Sequence, residues 1–307
     1  MGQAWGFGRF GGPEVQELFD RPDPVPGYGE VLIRVDVAGV NPMDHVLRSA
    51  LIPGLDSGRP FPRVLGMEAA GTVLALGEGV DGLAVGDPVF GFALTGGGTY
   101  AETTVLSALN TARIPVGLSA MVAATLPVAG TTSVDALDQL GLPAGATVMV
   151  NGVGGGVGLL VARLAVQREL RVIGTGSSSK RESAEAIGVR FIDYTTGDVA
   201  AAARELVPEG FDGIVDLVGG SSLRTIAPLA KKPRNIIAVS DMSVSDIGGR
   251  FVERRLDREN LERAARLALD GVLTPTITAI HSLADAPAAL AAIENGHISG
   301  KAVIKVA

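Results

Sequence analysis

The sequence predicts an α/β protein in which a doubly wound parallel sheet accompanies an irregular, β-rich domain. Three observations predict it. The run Asn151-Gly152-Val153-Gly154-Gly155-Gly156-Val157-Gly158 stands between the apolar segment 146–150 and a helical pattern over 159–165. Strand and helix patterns alternate from about residue 147 to residue 239, which implies parallel strands joined by right-handed crossovers. The first third instead shows short strand-like runs cut by Gly and Pro turns.

In chain order, strands are expected at 30–37, 69–76 and 88–92, each bounded by Pro-Gly, Gly-Glu-Gly or Gly-Asp signals. Near Leu118 the texture changes, with helices expected at 121–126 and 134–140. Strands then fall at 147–150, 171–175, 213–217 and 235–239, with helices at 158–167, 180–187 and 198–206 between them. A long helix at 259–269 ends at Gly271. The closing segment reads as strand 276–280, helix 284–295 and strand 302–306. These patterns place the β-rich domain at 1–117 and 253–307, enclosing the doubly wound domain at 118–252.

Composition narrows the function. The 307 residues are 47% hydrophobic, carry a net charge of -7 and include no cysteine. The apolar fraction is ample for two cores. Without cysteine there is no disulfide, no Cys-ligated zinc and no thiol nucleophile. An acidic balance without a basic stripe argues against a nucleic-acid partner. With no signal-like start and no membrane-length apolar run, a soluble, cytoplasmic protein with no membrane partner is expected.

The glycine run carries the chemistry. A strand, a tight glycine turn and a helix in that order make a pyrophosphate site. Small residues let backbone approach the phosphates, and the helix start presents unpaired N–H groups. Gly154, Gly155, Gly156, Val157 and Gly158 are the expected contacts. An acidic residue that binds the ribose diol of NAD is expected about 20 residues further on, at the end of the second strand. Gly176 occupies that place, followed by Ser177, Ser178, Ser179, Lys180 and Arg181. Hydroxyls and cations suit a 2′-phosphate, so NADPH is expected over NADH. A plain polar turn with Ser179 as N-cap would explain the serines but not the missing acid.

At this point the chain resembles the medium-chain dehydrogenase/reductase superfamily, in particular its zinc-independent NADPH:quinone oxidoreductases. The resemblance is carried by Phe10-Gly11-Gly12-Pro13-Glu14-Val15, read as a first-strand region, and by Gly39-Val40-Asn41-Pro42-Met43-Asp44. It continues in Leu65-Gly66-Met67-Glu68-Ala69-Ala70-Gly71, Gly98-Thr99-Tyr100-Ala101-Glu102 and Gly300-Lys301-Ala302-Val303. It implies a Rossmann-type domain beside a GroES-like catalytic domain, with substrate held in a cleft between them. It also implies cofactor contacts from Thr132, Tyr194, Val218, Gly219, Val239 and Ser240, alongside Gly176, Ser177 and Lys180. Each has a plainer reading, as helix cap, half-buried phenol or turn. A homodimer paired through 242–250 is a further implication. Zinc-dependent members carry a Cys near the position of Asn41 and a His at that of Met67, and neither is present here. Val153 stands where relatives carry Gly or Ala, while Val134 and Asp135 replace an aromatic pair.

The implied reaction is hydride transfer from NADPH to a quinone or other conjugated carbonyl. Asn41 is the first candidate to donate a hydrogen bond to the developing oxygen, and Asp44 a candidate to orient Asn41 or a water. Asn-Pro is also a strong turn signal, which would make both residues structural. His45 reads as structural; His281 and His297 attract no role. An enoyl-thioester reductase and a non-catalytic NADPH-binding regulatory or structural protein remain the alternatives.

Overall fold

The computed structural model describes residues 1–51, 58, 60–93, 98–296 and 298–307, so His297 lies outside the described residues. These form two compact units. The first comprises Met1–Val128, Leu256–Leu269 and Ile277–Ala307; the second comprises Ala129–Arg255 and Asp270–Thr276.

The chain opens the first unit with β1 (Gly2–Phe7), β2 (Gln16–Arg21), β3 (Glu30–Gly39) and helix α1 (Pro42–Arg48). Strands β4 (Arg63–Val64), β5 (Glu68–Leu76), β6 (Pro88–Phe92), β7 (Thr103–Ser107) and β8 (Thr111–Arg113), then helix α2 (Ala120–Ala123), complete this pass. The second unit follows with α3 (Thr131–Leu140), β9 (Thr147–Asn151), α4 (Gly156–Gln167), β10 (Arg171–Gly176), α5 (Arg181–Glu185) and β11 (Arg190–Asp193). It continues through α6 (Val199–Leu206), β12 (Gly213–Asp216), α7 (Gly220–Ile226), β13 (Ile236–Ala238) and β14 (Arg250–Phe251). The chain then returns to the first unit with α8 (Arg258–Leu269), β15 (Ile277–Ser282), α9 (Ala286–Glu294) and β16 (Lys301–Lys305).

In the first unit, β3 is the spine. Its alternate residues Val31, Ile33 and Val35 are fully buried, the period-two pattern of a strand with one face in a core. It pairs antiparallel with β5, β7 and β16, in a sheet ordered β15-β16-β3-β5-β6-β8 with β7 also on β3. A smaller sheet, β2-β1-β4, completes the unit.

The second unit holds one parallel sheet in the order β11-β10-β9-β12-β13-β14. The chain walks outward from β9 to β11, jumps back beside β9, and walks outward the other way from β12. The carboxyl ends of β9 and β12 therefore meet where the strand order reverses, the place where open α/β sheets bind ligands.

The structure departs from the sequence reading in several places, among them residues 253–255 and 270–276, which belong to the second unit and not to the β-rich one. The first strand is Gly2–Phe7, and Phe10–Val15 forms a bend and a 3-10 turn, because Pro13 cannot donate to a ladder. The helix expected at 121–126 is confined to Ala120–Ala123, and Pro127 lies in a π-helical turn over Leu126–Gly130. The segment 242–250, expected as a pairing strand, is mostly a 3-10 turn, Met242–Ile247. Asp241 caps it from the front and Gly248 closes it at φ 79°, leaving only Arg250–Phe251 as strand. Residues 118–128 belong to the first unit, with Ala123, Ala124 and Leu126 fully buried and the Val128 amide bound to Glu68 Oε2 at 2.7 Å. No helix among the described residues is long and apolar enough to cross a membrane.

Candidate active site

The glycine turn lies at the carboxyl end of β9, as the sequence predicts. Gly156, Val157 and Gly158 open the 12-residue α4, so their amides have no partner within the helix and favour an anion. Gly155 is exposed, and a Cβ added there would meet only the Gly152 oxygen, at 3.8 Å. At Gly158 the same atom would lie 2.7 Å from the Val153 oxygen, so glycine permits the close approach of helix and turn. At Gly154 it would lie 2.5 Å from Lys180 Cβ and 2.6 Å from Cγ; the lysine stem is folded across the turn. Val153 is fully buried and faces Gly174 of β10, where an added Cβ would be 2.6 Å from Val153 Cγ1. The larger residue in the turn is matched by a missing side chain on the next strand.

The β10–β11 edge assembles the residues expected at the adenosine end. Gly176 pairs with Asp193 across the two strands, and the Tyr194 amide donates to the Gly176 oxygen at 3.1 Å. Tyr194 is 58% exposed and Lys180 half-buried, and burial holds the lysine ammonium below its ordinary range. Ser177 and Ser179 share a hydrogen bond of 3.1 Å. A Cβ at Gly176 would sit 2.9 Å from the Phe191 ring, so packing also keeps an acid out of that position. One point corrects the sequence reading. A carboxylate does stand at this edge, Asp193, brought in by the neighbouring strand. It accepts from Ser178 Oγ at 2.5 Å and from Thr195 Oγ1 at 2.6 Å, and these hydroxyls hold its pKa below the usual carboxylate range. Ser178 is thereby committed to Asp193. Arg181 is turned toward Glu185 at 2.9 Å and over the Phe191 ring at 4.8 Å.

Val218, Gly219, Val239 and Ser240 gather after β12 and β13. The Gly219 amide donates to Asp216 Oδ2 at 2.9 Å, and the Val239 amide to the Asp216 backbone oxygen at 2.9 Å. Val218 is 53% exposed, and Ser240 is exposed as well. Thr132 is 1% exposed in the first turn of α3. Val134 and Asp135 are buried within α3; Asp135 Oδ2 accepts from the Arg255 amide at 2.9 Å, anchoring the chain as it leaves β14.

In the first unit, Asn41 and Asp44 belong to a buried polar network that local sequence did not reveal. Asn41 is 3% exposed. Its Nδ2 donates to Glu68 Oε1 at 2.8 Å, and its Oδ1 accepts from Lys301 Nζ at 2.7 Å. Lys301 also donates to Glu68 Oε1 at 2.8 Å and to the Val40 oxygen at 3.2 Å. Three motifs far apart in sequence thus converge on one amide. Asp44 Oδ2 accepts from the Asn41 backbone amide and from Tyr100 Oη, both at 2.8 Å, which fixes the start of α1.

Asp44 Oδ1 is buried with no partner among the described residues. Burial pushes the Asp44 pKa up to about 7. Since the folded state then holds a proton that the unfolded state releases near pH 4, this group's stabilisation is present below about pH 4. It is lost as pH rises toward 7, by at most about 1.4 kcal/mol per pH unit. Asp44→Asn can present its carbonyl to both donors with no charge to bury. Its urea midpoint is expected to gain on that of the wild type between pH 5 and pH 8. Parallel curves would contradict the assignment.

Among the described residues no three His, Cys, Asp or Glu side chains gather as a metal cluster. The network offers an amide and a carboxylate already neutralised by an ammonium, with the thioether Met67 one residue before Glu68. That donor set does not fit a zinc ion.

Comparison with known proteins agrees with the fold. Residues 27–116 match the alcohol dehydrogenase GroES-like domain and 188–304 the zinc-binding dehydrogenase domain. The human synaptic vesicle membrane protein VAT-1 homolog is 36% identical over 69% of this chain, a match spanning about half (54%) of that relative's length. The tomato (Solanum lycopersicum) 2-methylene-furan-3-one reductase is 32% identical over 98% of this chain and 78% of its own length. The quinone oxidoreductase from Coxiella burnetii superposes with a TM-score of 0.91 at 29% identity, covering 100% of this chain and 99% of that one. A mycobacterial protein solved in complex with NADPH gives 0.86 at 27% identity, covering 99% and 100%. The chain belongs to the medium-chain dehydrogenase/reductase superfamily, among its quinone oxidoreductases.

Proposed function

We propose that this protein is an NADPH-dependent reductase of quinones or other conjugated ketones that works without zinc. One observation carries the reading: a glycine turn at the strand-order reversal, crossed by the Lys180 stem, in a second unit with no acid at the end of β10. The fit to a dinucleotide phosphate is good. The open face of Gly155 and the amides of Gly156, Val157 and Gly158 would hold the pyrophosphate. Ser177, Lys180 and Tyr194 would hold the 2′-phosphate, with Gly219 and Val239 offering backbone to the nicotinamide half. When bound, NADPH supplies the hydride. The protein orients the acceptor and stabilises negative charge on its oxygen. Asn41 serves here with its second Nδ2 hydrogen, the first being held by Glu68.

The relatives' names, quinone oxidoreductase and 2-methylene-furan-3-one reductase, support these two acceptor classes. A homodimer formed through the β14 edge of the second unit's sheet belongs to the same reading. The test follows absorbance at the reduced nicotinamide band with a quinone, an enone and an enoyl thioester, under NADPH or NADH. Faster oxidation of NADPH than of NADH with a quinone or enone is expected. Turnover confined to the thioester would reassign the substrate. Tight NADPH binding without turnover on any acceptor would leave a regulatory or structural protein.

A further inference from the structure

Residues at the carboxyl ends of three neighbouring strands in the second unit form a buried polar row. Thr175 of β10 pairs in register with Asn151 of β9, and Asn151 pairs with Asp216 of β12. All three are at most 2% exposed, and the residues that precede them in the two central strands, Val148, Met149 and Val150 of β9 and Ile214 and Val215 of β12, are apolar and fully buried. Thr175 Oγ1 donates to Asn151 Oδ1 at 2.6 Å, and Asn151 Nδ2 donates to Asp216 Oδ1 at 2.6 Å. Asn151 Nδ2 also lies 3.0 Å from Ser222 Oγ, at the start of α7.

Each end of the row holds a turn. Thr175 Oγ1 accepts from the Gly152 amide at 3.1 Å, at the entry to the glycine turn. Asp216 Oδ2 accepts from the Gly219 amide at 2.9 Å, with Gly219 at φ 78°. The two turns touch: a Cβ added at Gly152 would lie 2.9 Å from Val218 Cγ2. Burying an amide and a carboxyl costs free energy unless every donor and acceptor is matched, and here the matching partners are the backbone amides of both turns.

We propose that Thr175, Asn151 and Asp216 are positioning residues that set the spacing of the Gly152 and Val218–Gly219 turns, and so control how tightly the nicotinamide half of NADPH is held. The proposal rests on the NADPH reading above. The adenosine end, built by Gly176, Ser177, Lys180 and Tyr194, shares no hydrogen bond with the row, so the two halves of the coenzyme report separately.

Asp216→Asn is nearly isosteric but sets an N–H against either the Gly219 amide or the Asn151 amide. Asn151→Asp sets two carboxylates face to face. The exchanged pair Asn151→Asp with Asp216→Asn restores the row: the new Asp accepts from Thr175, from the new Asn and from the Ser222 hydroxyl, the new Asn's oxygen accepts from Gly219, and only the long 3.5 Å contact from the Val218 amide is lost. Calorimetric titration with NADPH and with 2′,5′-ADP, which carries only the adenosine end, tests the proposal on all four proteins. Asp216→Asn is expected to weaken NADPH about tenfold or more, at about 1.4 kcal/mol per tenfold. The same variant should leave 2′,5′-ADP within twofold, and the exchanged pair should recover most of the loss. Equal loss of both ligands, unchanged NADPH affinity in Asp216→Asn, or no recovery in the exchanged pair would overturn it. If Asp216→Asn does not fold, the exchanged pair decides alone, by its NADPH affinity relative to wild type. Wild-type protein that binds neither ligand would instead remove the coenzyme reading, and this proposal with it.

Discussion

Lys301→Met is expected to cost the first unit about 3–5 kcal/mol, the penalty of leaving a buried carboxylate without its cation. Glu68 is fully buried and Lys301 is 4% exposed, so water cannot take over the lost contact. Glu68 Oε1 would retain only the Asn41 amide, while the Val128 amide would still satisfy Oε2. Removing the charge from both partners is a different experiment. Glu68→Gln with Lys301→Met leaves no net charge to desolvate, and it should recover most of the stability lost in the single variant. Trp5, the one tryptophan of the chain, lies in β1 and reports on the first unit in urea titrations followed by fluorescence. A double variant as unstable as the single one would show that packing, and not charge, sets the penalty. The pair also has a geometric consequence. Lys301 and Glu68 together dictate which way the Asn41 amide faces, so turnover should fall in the single variant even under conditions where it stays folded.

Lys180→Met should weaken NADPH by about 10- to 100-fold while changing NADH less than threefold. A charge-assisted hydrogen bond to a phosphate contributes on the order of 1.5–3 kcal/mol, and each 1.4 kcal/mol is tenfold in affinity. Methionine is chosen over alanine because the lysine stem also covers Gly154. It keeps most of that cover and removes only the charge. Competitive titration of the two coenzymes measures the ratio directly. Equal losses for NADPH and NADH would mean that the stem shapes the turn and the ammonium recognises no phosphate. Asp193 sharpens the expectation. Its negative charge stands at the same edge and would oppose a phosphate if Lys180 were neutral.

Much of the second unit is legible in the sequence because its signals are local. The parallel strands are short apolar runs, and the glycine turn sits between strand and helix within a single stretch of chain. The same logic fails where a role depends on partners far away. Glu68 and Lys301 are visible as members of two motifs, yet 233 residues separate them, and no spacing rule brings an ion pair across that distance. Asn151 and Asp216 look like strand ends, where polar residues are ordinary. Only the sheet register shows them side by side with Thr175. Asp193 escapes for a similar reason, since the expected acid is sought on β10 and the actual one comes from β11. The segment 242–250 misleads in the other direction: the resemblance implies a pairing strand there, but Asp241 and Gly248 close its polar, glycine-bearing run into a 3-10 turn.

The partition of the chain between the units bears on how the protein is made. Strand β16 docks against β3 through residues 303–305 and 37–39, and its first residue supplies the ammonium beside Glu68. While the ribosome is still working, the earlier part of the first unit therefore waits with the 37–39 end of β3 unpaired on one side and a buried-to-be carboxylate unneutralised. Most of the second unit, drawn from one continuous stretch, can settle first. An exposed apolar edge that persists through synthesis invites pairing with other nascent chains. Yield in a heterologous host should accordingly depend on chaperone supply and growth temperature more than on the intrinsic strength of either finished core.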